Sequence, residues 1–513
     1  MIRTAWTFAG ACAVCVTLAG CMVGPDYKRP EAPPSPVFKE LAGWKLSQPA
    51  DDVDKGPWWA VYRDPELDRL EHMVDVSNQT VKQFEAQYRN AVALVGEARA
   101  GLFPTVGISP SVSRSGGGSS GGSSSGRSSS GVGTSSLGTT TTSTGSSGSS
   151  SRGGSSSGGG TEYSITGNVS WEPDIWGSIR RQIESSKAAA QVSAADLANA
   201  RLSAQATLAA DYFDLRAEDS LTQLLTETVA NYQRALQITQ NQYRAGTTAS
   251  IDYVTALAQL QSTQAQLVAV AIQRQQFEHA IAVLTGHAPS EITIAPAPLA
   301  AAVPVLPPGL PSALLERRPD IAAAERAMQQ ENALIGVQIA AFYPNISLTA
   351  LGGFAGNPLG QLFNASNQLW SLGASASETL FEGGLRSSAV AAARATYDAS
   401  VASYRQTVLT AFQGVEDALS NLRVLELQAR ALTTAVGSTR RAVDATMNQY
   451  RAGTVPYTSV ITEQTLLLSD QQTLLAVQQS RLVASVALIE ALGGGWSTAD
   501  LPAKIKTPNP LLP

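Results

Sequence analysis

From Ser178 to Arg244 the chain runs without a single Gly or Pro and is rich in Ala, Leu, Gln, Glu and Arg. These residues favour helix. At about 1.5 Å per residue such a helix would be roughly 100 Å long. Along its second half Leu225, Val229, Tyr232, Leu236 and Tyr243 recur at three-, four- or seven-residue spacing. That is a narrow seam for a neighbouring helix, not the broad stripe of a globular one. Leu385 to Arg451 has the same character, broken only by Gly414 and Gly437. Each glycine costs about 1 kcal/mol relative to Ala and marks where a bend would fall. Shorter helices are expected over about Pro65–Ala100, Ser250–Leu284, Pro319–Ala341 and Ser459–Leu492.

Between the helices the period changes from 3.6 to two. Val106, Ile108 and Val112 alternate with Gly107, Ser109, Ser111 and Ser113, and Tyr163, Ile165, Val169 and Trp171 with Ser164, Thr166, Asn168 and Ser170. Further on, Ile346 and Leu348 alternate with Asn345, Ser347 and Thr349, and Trp370, Leu372, Ala374 and Ala376 with Ser371, Gly373, Ser375 and Ser377. Four strands, about 103–113, 162–172, 343–352 and 369–381, each with one apolar face, are expected. A soluble sandwich and a membrane sheet both show this alternation. The length of about ten residues and the aromatic strand ends Phe103, Tyr163, Trp171, Tyr343, Trp370 and Phe381 favour the membrane. Four strands cannot close a barrel, which needs about eight. The membrane reading therefore demands two, three or four copies, and strand parity does not choose among them.

The chain repeats itself. Asn241-Gln242-Tyr243-Arg244-Ala245-Gly246-Thr247 recurs unchanged as Asn448-Gln449-Tyr450-Arg451-Ala452-Gly453-Thr454, displaced by 207 positions. Tyr253, Leu260 and Leu267 fall at the same displacement on Val460, Leu467 and Leu474. Upstream, the Asp174–Arg180 and Thr379–Arg386 segments correspond, as do Phe103-Pro104-Thr105-Val106 and Tyr343-Pro344-Asn345-Ile346. The division is a leader 1–20, an amino-terminal extended or equatorial segment 21–64, repeat one at 65–287, a linker 288–317, repeat two at 318–494, and a tail 495–513. Each repeat is a helix, two strands and a long helical hairpin turned at Arg-Ala-Gly-Thr.

Residues 1–21 show Arg3, an apolar run from Ala5 to Leu18, and Leu18-Ala19-Gly20-Cys21. This is an export signal ending at a lipidation site, Cys21. The run is too short for a comfortable spanning helix. Cys12 and Cys15 would leave with the leader, so no disulfide or thiol chemistry is expected in the mature chain. Met22 is not the Asp that retains bacterial lipoproteins in the inner membrane, which points to the outer one. Residues 114–160 are almost wholly Gly, Ser and Thr, a composition that builds no core. Their place between two strands fits a long outward-facing loop, read as an inert expansion rather than a ligand site. With 36 basic and 41 acidic residues the net charge is -5, and no basic face invites nucleic acid. His72, His279 and His287 are scattered without ligand spacing, and the Gly-rich tract lacks the Lys of a phosphate loop. An enzyme reading, a metal and a cofactor find no support.

Taken together these residues resemble the outer membrane factor family of TolC-like channels, closest to its lipoprotein branch in tripartite multidrug efflux. The resemblance is carried by Cys21 to Pro30, Arg317-Arg318-Pro319-Asp320-Ile321, Phe342 to Leu348, Leu380-Phe381-Glu382-Gly383-Gly384 and both Tyr-Arg-Ala-Gly-Thr turns. It implies an α+β membrane protein: a homotrimer sharing a twelve-stranded barrel, continued by a periplasmic α-helical barrel. The implied cargo is small toxic compounds or drugs, with protein secretion as the alternative. The turns Tyr243, Arg244, Gly246, Thr247 and Tyr450, Arg451, Gly453, Thr454 would form periplasmic tips meeting an adaptor protein, which links indirectly to an inner-membrane transporter. Asp252 looks like an acidic latch, with Tyr450 as its partner. Val455, Ser459 and Thr462 stand where the best-known relative carries an arginine latch and constricting acids, so a weaker periplasmic gate is implied. A surface scaffold with a Gly/Ser stalk is the rival class. It is disfavoured because the tract interrupts one repeat between paired strands.

Overall fold

The computed structural model describes residues 22–31, 38–39, 57–115, 160–300, 302–304, 317–496, 498–502 and 505. The leader, Cys21 and the Gly/Ser tract from 116 to 159 lie outside the described residues. The elements are α1 (Pro65–Ser77), α2 (Gln79–Ala100), β1 (Thr105–Ser115), β2 (Gly160–Trp171), α3 (Ser178–Arg244) and α4 (Ser250–Leu284). The second half holds α5 (Pro319–Ala340), β3 (Asn345–Gly356), β4 (Gln368–Ser377), α6 (Leu385–Arg451) and α7 (Tyr457–Ala491). Helices α3 and α6 are both 67 residues long, and α4 and α7 both 35. Helix α6 runs through Gly414 and Gly437 as one element.

The duplication has two displacements. From α3 and α4 to α6 and α7 it is 207 positions, whereas from α2 and β1 to α5 and β3 it is 240. The difference of 33 is the excess of the β1–β2 connection over the β3–β4 connection. Compact units cut across the repeats. One takes its helices from both halves, and the other is Gly101–Pro173 with Pro344–Leu380.

The helix expected over Pro65–Ala100 is in fact two. Asn78 interrupts it: its Nδ2 donates to Leu284 O at 2.7 Å and its Oδ1 accepts from Val81 N at 3.0 Å, starting α2. Ser77 Oγ donates to Thr285 O at 2.6 Å. The break thus caps the carbonyls left open at the end of α4, a tertiary demand that outweighs local helix preference.

The sheet forms because four alternating segments pair in sequence order, β1-β2-β3-β4, every pair antiparallel. Expected strand limits shift: β1 begins at Thr105 because Pro104 offers no amide to the ladder, and β4 stops at Ser377, short of Phe381. Val106 opposes Val169, Trp171 opposes Leu348, and Leu348 opposes Ala374. Opposed residues share a face, so the register gathers every alternating apolar position on one side. Serines and threonines gather on the other, where Ser111–Ser164 and Ser347–Ser375 hydroxyl pairs lie at 2.7 Å. The apolar side is not buried: Val106 is 74%, Ile108 74%, Trp370 73% and Leu372 76% exposed. Among the described residues β1 and β4 pair on one side only.

In the helical unit α3 packs on α2, α4, α5 and α7, and α6 packs on α5 and α7. The largest core joins Trp58, Trp59 and Tyr62 to Leu67 and Leu70 of α1, Tyr212 and Phe213 of α3, Ile281 of α4 and Val486 of α7. A buried charge cluster clamps the linker onto it. Asp219 accepts from Arg274 Nε at 2.7 Å, Arg216 Nη1 at 3.2 Å and the Ala297 amide at 3.0 Å. Arg216 and Arg274 donate in turn to the Ala295 and Ile294 carbonyls, each at 2.7 Å. Every charge in the cluster has a partner, which is the condition for tolerating burial. Leu501, in the expected tail, packs on Ala195, Ala322 and Ala323.

Glu71 on α1 is the contrary case, fully buried with both carboxyl oxygens unpartnered. Desolvation first, and the nearby Asp75 second, push its pKa up to about 9. Because the folded value is the higher one, the folded state holds a proton that the unfolded state releases above about 4.5. Stability therefore falls as pH rises from about 4.5 to 9, by at most about 1.4 kcal/mol per pH unit. Glu71→Gln should match the parent near pH 5 and melt at a higher temperature near pH 8. Thermal unfolding in detergent across this pH range checks it.

Candidate functional site: the paired hairpin turns

Both hairpins end in the same backbone structure. After α3, Gly246 at φ +69° donates from its amide to Tyr243 O at 3.0 Å, and Thr247 N donates to Gln242 O at 2.9 Å. After α6, Gly453 at φ +73° and Thr454 repeat these bonds to Tyr450 O and Gln449 O, at 2.9 and 3.0 Å. This is the Schellman closure, in which a left-handed residue turns the chain and satisfies the last helical carbonyls. Thr247 and Thr454 add their hydroxyls to the same Gln242 and Gln449 carbonyls, at 3.0 and 2.9 Å. The repeated Gly and Thr are thereby explained. No atom lies within 4 Å of a Cβ built on either glycine, so conformation alone requires Gly.

The helix closure does not account for the tyrosines. Tyr243 is half exposed and stacks on Tyr253 with ring centres 6.0 Å apart and planes 10° from parallel. Tyr450 instead tilts against the buried Tyr457 at 5.1 Å. Its hydroxyl donates to Gln242 Oε1, joining the turn of one repeat to the helix end of the other. Burial first, and the Asp252 carboxylate second, push the Tyr450 phenol up. Arg244 and Arg451 are exposed.

Asp252 is buried in the first turn of α4, where its carboxylate accepts from the Thr248 hydroxyl. An acid there complements the helix dipole, and its charge also reaches Tyr450. Ser459 and Val455 are the repeat counterparts of Asp252 and Thr248, and neither reproduces that contact chemistry. Thr462 turns its hydroxyl back to Thr458 O at 3.0 Å. Gln242, which the sequence offered only as part of the heptapeptide, emerges as the residue bridging the repeats. Its partner is 208 positions away, and no local pattern reports that.

His72 sits edge-on to Trp59, and His287 Nδ1 lies 2.8 Å from Thr285 O. Among the described residues no group of three or more His, Cys, Asp or Glu could hold a metal.

Two long helical hairpins capped by matched turns, with a sheet whose apolar face and, among the described residues, both edges are open, are the parts of a channel-type membrane subunit. The chain belongs to the outer membrane efflux protein family, whose profile matches residues 139–287 and 310–494. Over 512 residues it is 28% identical to the probable efflux pump outer membrane protein TtgC of Pseudomonas putida, covering 96% of this chain and 97% of that one. It is 28% identical to the cation efflux system protein CusC of Escherichia coli over 488 residues, 94% of this chain and 97% of the relative. Among solved structures, the outer-membrane channel OprN superposes with a TM-score of 0.80 at 27% identity, over 93% of this chain and all of that one.

Replacing Gly246 or Gly453 with Val forces a β-branched residue into the left-handed region, costing about 1–2 kcal/mol at each turn. Efflux measured by drug accumulation should fall while outer-membrane fractionation stays normal. Tyr450→Phe removes the Gln242 bond alone. It should cost about 0.5–1.5 kcal/mol and raise the open fraction in single-channel recordings, with unchanged assembly.

Proposed function

We propose that this chain is the outer-membrane exit channel of a tripartite efflux system, working as a homotrimer that passes small toxic compounds from the periplasm to the outside. The observation that carries the reading is the sheet, apolar and exposed on one face and unpaired at β1 and β4. In hydrocarbon an unpaired edge leaves backbone groups without partners, so the strands must close with those of other copies. Three copies supply twelve strands around a lumen lined by the Ser and Thr face. The helices extend into the periplasm, where Tyr243 to Thr247 and Tyr450 to Thr454 meet the adaptor that couples the duct to an inner-membrane transporter.

Cys21 carries the lipid, and the Gly/Ser tract faces the cell surface. Asp252, Tyr450, Ser459 and Thr462 form a gate held by neutral hydrogen bonds and one acid, weaker than a salt-bridged one. Relatives are named for cations and for solvents such as toluene. A wall of Ala, Ser, Gln and Thr offers no pocket, so selection of cargo falls to the transporter. Heat-resistant trimers in detergent and single-channel conductance in planar bilayers are expected. A soluble monomer without conductance would overturn the reading.

The two sheet faces separate in a substitution pair. Leu372→Arg places a charge on the lipid side near mid-strand and should cost about 2–4 kcal/mol of insertion stability. Ser371→Arg, on the lumen side, should insert normally and shift ion selectivity. Urea titration of the membrane-inserted protein and reversal-potential measurements check the pair.

A further inference from the structure

Residues 22–29 lie as a strap over the helical unit. The Val23 amide donates to Trp176 O at 3.1 Å, and Asn332 Nδ2 donates to Pro25 O at 3.0 Å. Arg29 lies 3.5 Å from Glu325 and donates to the Tyr404 hydroxyl at 3.4 Å. Successive strap residues meet Asn332 and then Glu325, so the strap descends α5 against its direction.

Its upper end is fixed most tightly. Gly24, at φ +99°, approaches Gly336 so closely that a Cβ on Gly24 would sit 2.5 Å from Gly336 Cα. Arg181, in the first turn of α3, is 1% exposed. Its Nε donates to Val23 O at 3.2 Å, and its Nη2 donates to Gly24 O at 3.1 Å and to Asp26 Oδ1 at 2.9 Å. Nη1 donates to Glu184 at 2.8 Å. Three of these four acceptors belong to the strap. Without it, the guanidinium would keep Glu184 as the one of these four acceptors that remains. Met22, one peptide link from Cys21, would collide with any Cβ on Gly177.

Beside this point Trp176 and Tyr343 stack with ring centres 4.8 Å apart, and the half-exposed Phe342 lies under Arg386 at 5.4 Å. Trp176 follows the last residue of β2 by five positions. Aromatic rings close to the ends of spanning strands sit at headgroup level.

We propose that Arg181 and the Gly24–Gly336 contact form a dock that holds the strap in register and seats the acyl chains of Cys21 against the Trp176–Tyr343 pair. The acyl part rests on the reading of Cys21 as lipidated. Arg181 is then a positioning residue, and the anchor is a fixed part of the assembled subunit rather than a loose tether.

The experiment uses the full-length protein in outer-membrane fractions, with Arg181→Met, Arg181→Lys, Gly336→Val and Cys21→Ser. Trypsin cleavage after Lys28 reads strap release. It should quicken about tenfold in Gly336→Val and in Arg181→Met, because proteolysis follows the open population. Arg181→Lys should be intermediate, since it keeps the charge and loses the fork. Gly336→Val removes no charge, although a Cβ there would sit 2.9 Å from the Arg181 side chain, so it strains both halves of the dock at once and decides the matter if Arg181→Met fails to fold. Cleavage within twofold of the parent in Gly336→Val would overturn the dock.

Metabolic incorporation of a photoreactive palmitate analogue reads the acyl site. Crosslinks in the parent should fall on peptides 173–181 and 336–343, and should scatter in Gly336→Val. Scattered crosslinks in the parent would overturn the seating of the acyl chains. Absence of palmitate from the parent, with Lys28 still protected, would refute lipidation and the acyl seat while leaving the strap dock standing.

Discussion

Backbone hydrogen bonding at the two sheet edges is the constraint on which the rest of this protein depends. A sheet of four strands that is apolar on one face and polar on the other suits a boundary between hydrocarbon and water. Among the described residues of one chain, however, β1 and β4 each have a strand partner on one side only. In water such an edge invites aggregation, and in lipid it is not tolerated. Neighbouring copies are the proposed remedy. Duplication makes it economical, because one helix-and-strand unit, used twice per chain, supplies half of each subunit's wall.

The same duplication explains why the hairpin turns match in backbone and differ in side chains. Gly246 and Gly453 close their helices by the same bonds, since both must satisfy the same orphan carbonyls. Around them the repeats diverge: Tyr243 lies on Tyr253, whereas Tyr450 leans on Tyr457 and reaches Gln242. Two equivalent backbones thus carry one exposed and one half-buried tyrosine. That asymmetry lets a duplicated scaffold offer one ring outward at its turn and use the other to tie its repeats together.

Burial of charge follows two opposite rules in the helical unit. Around Asp219 every donor finds an acceptor, and the cluster fastens the linker by its backbone. Arg181 does the same for the amino-terminal strap. Glu71 has no such partner and answers by holding its proton. The first two join segments far apart in sequence, which local helix preference cannot do. The third makes the unit's stability depend on pH.

Periodicity along the chain was enough for much of this. The limits of α3, α4 and α6, the alternation of the four strands and the turn glycines follow from interactions within a few residues, which a sequence displays directly. The duplication was legible in the repeated heptapeptide, and the family resemblance in both turns taken together with Cys21 to Pro30, Arg317 to Ile321, Phe342 to Leu348 and Leu380 to Gly384. Other features needed the folded chain. Asn78 splits a helix because α4 ends beside it, and Gln242 meets the hydroxyl of a tyrosine from the other repeat. The clamps at Asp219 and Arg181 draw partners from widely separated segments. Periods and propensities are local and so are written along the chain, whereas capping at a distance and pairing of buried charge exist only once the helices have packed.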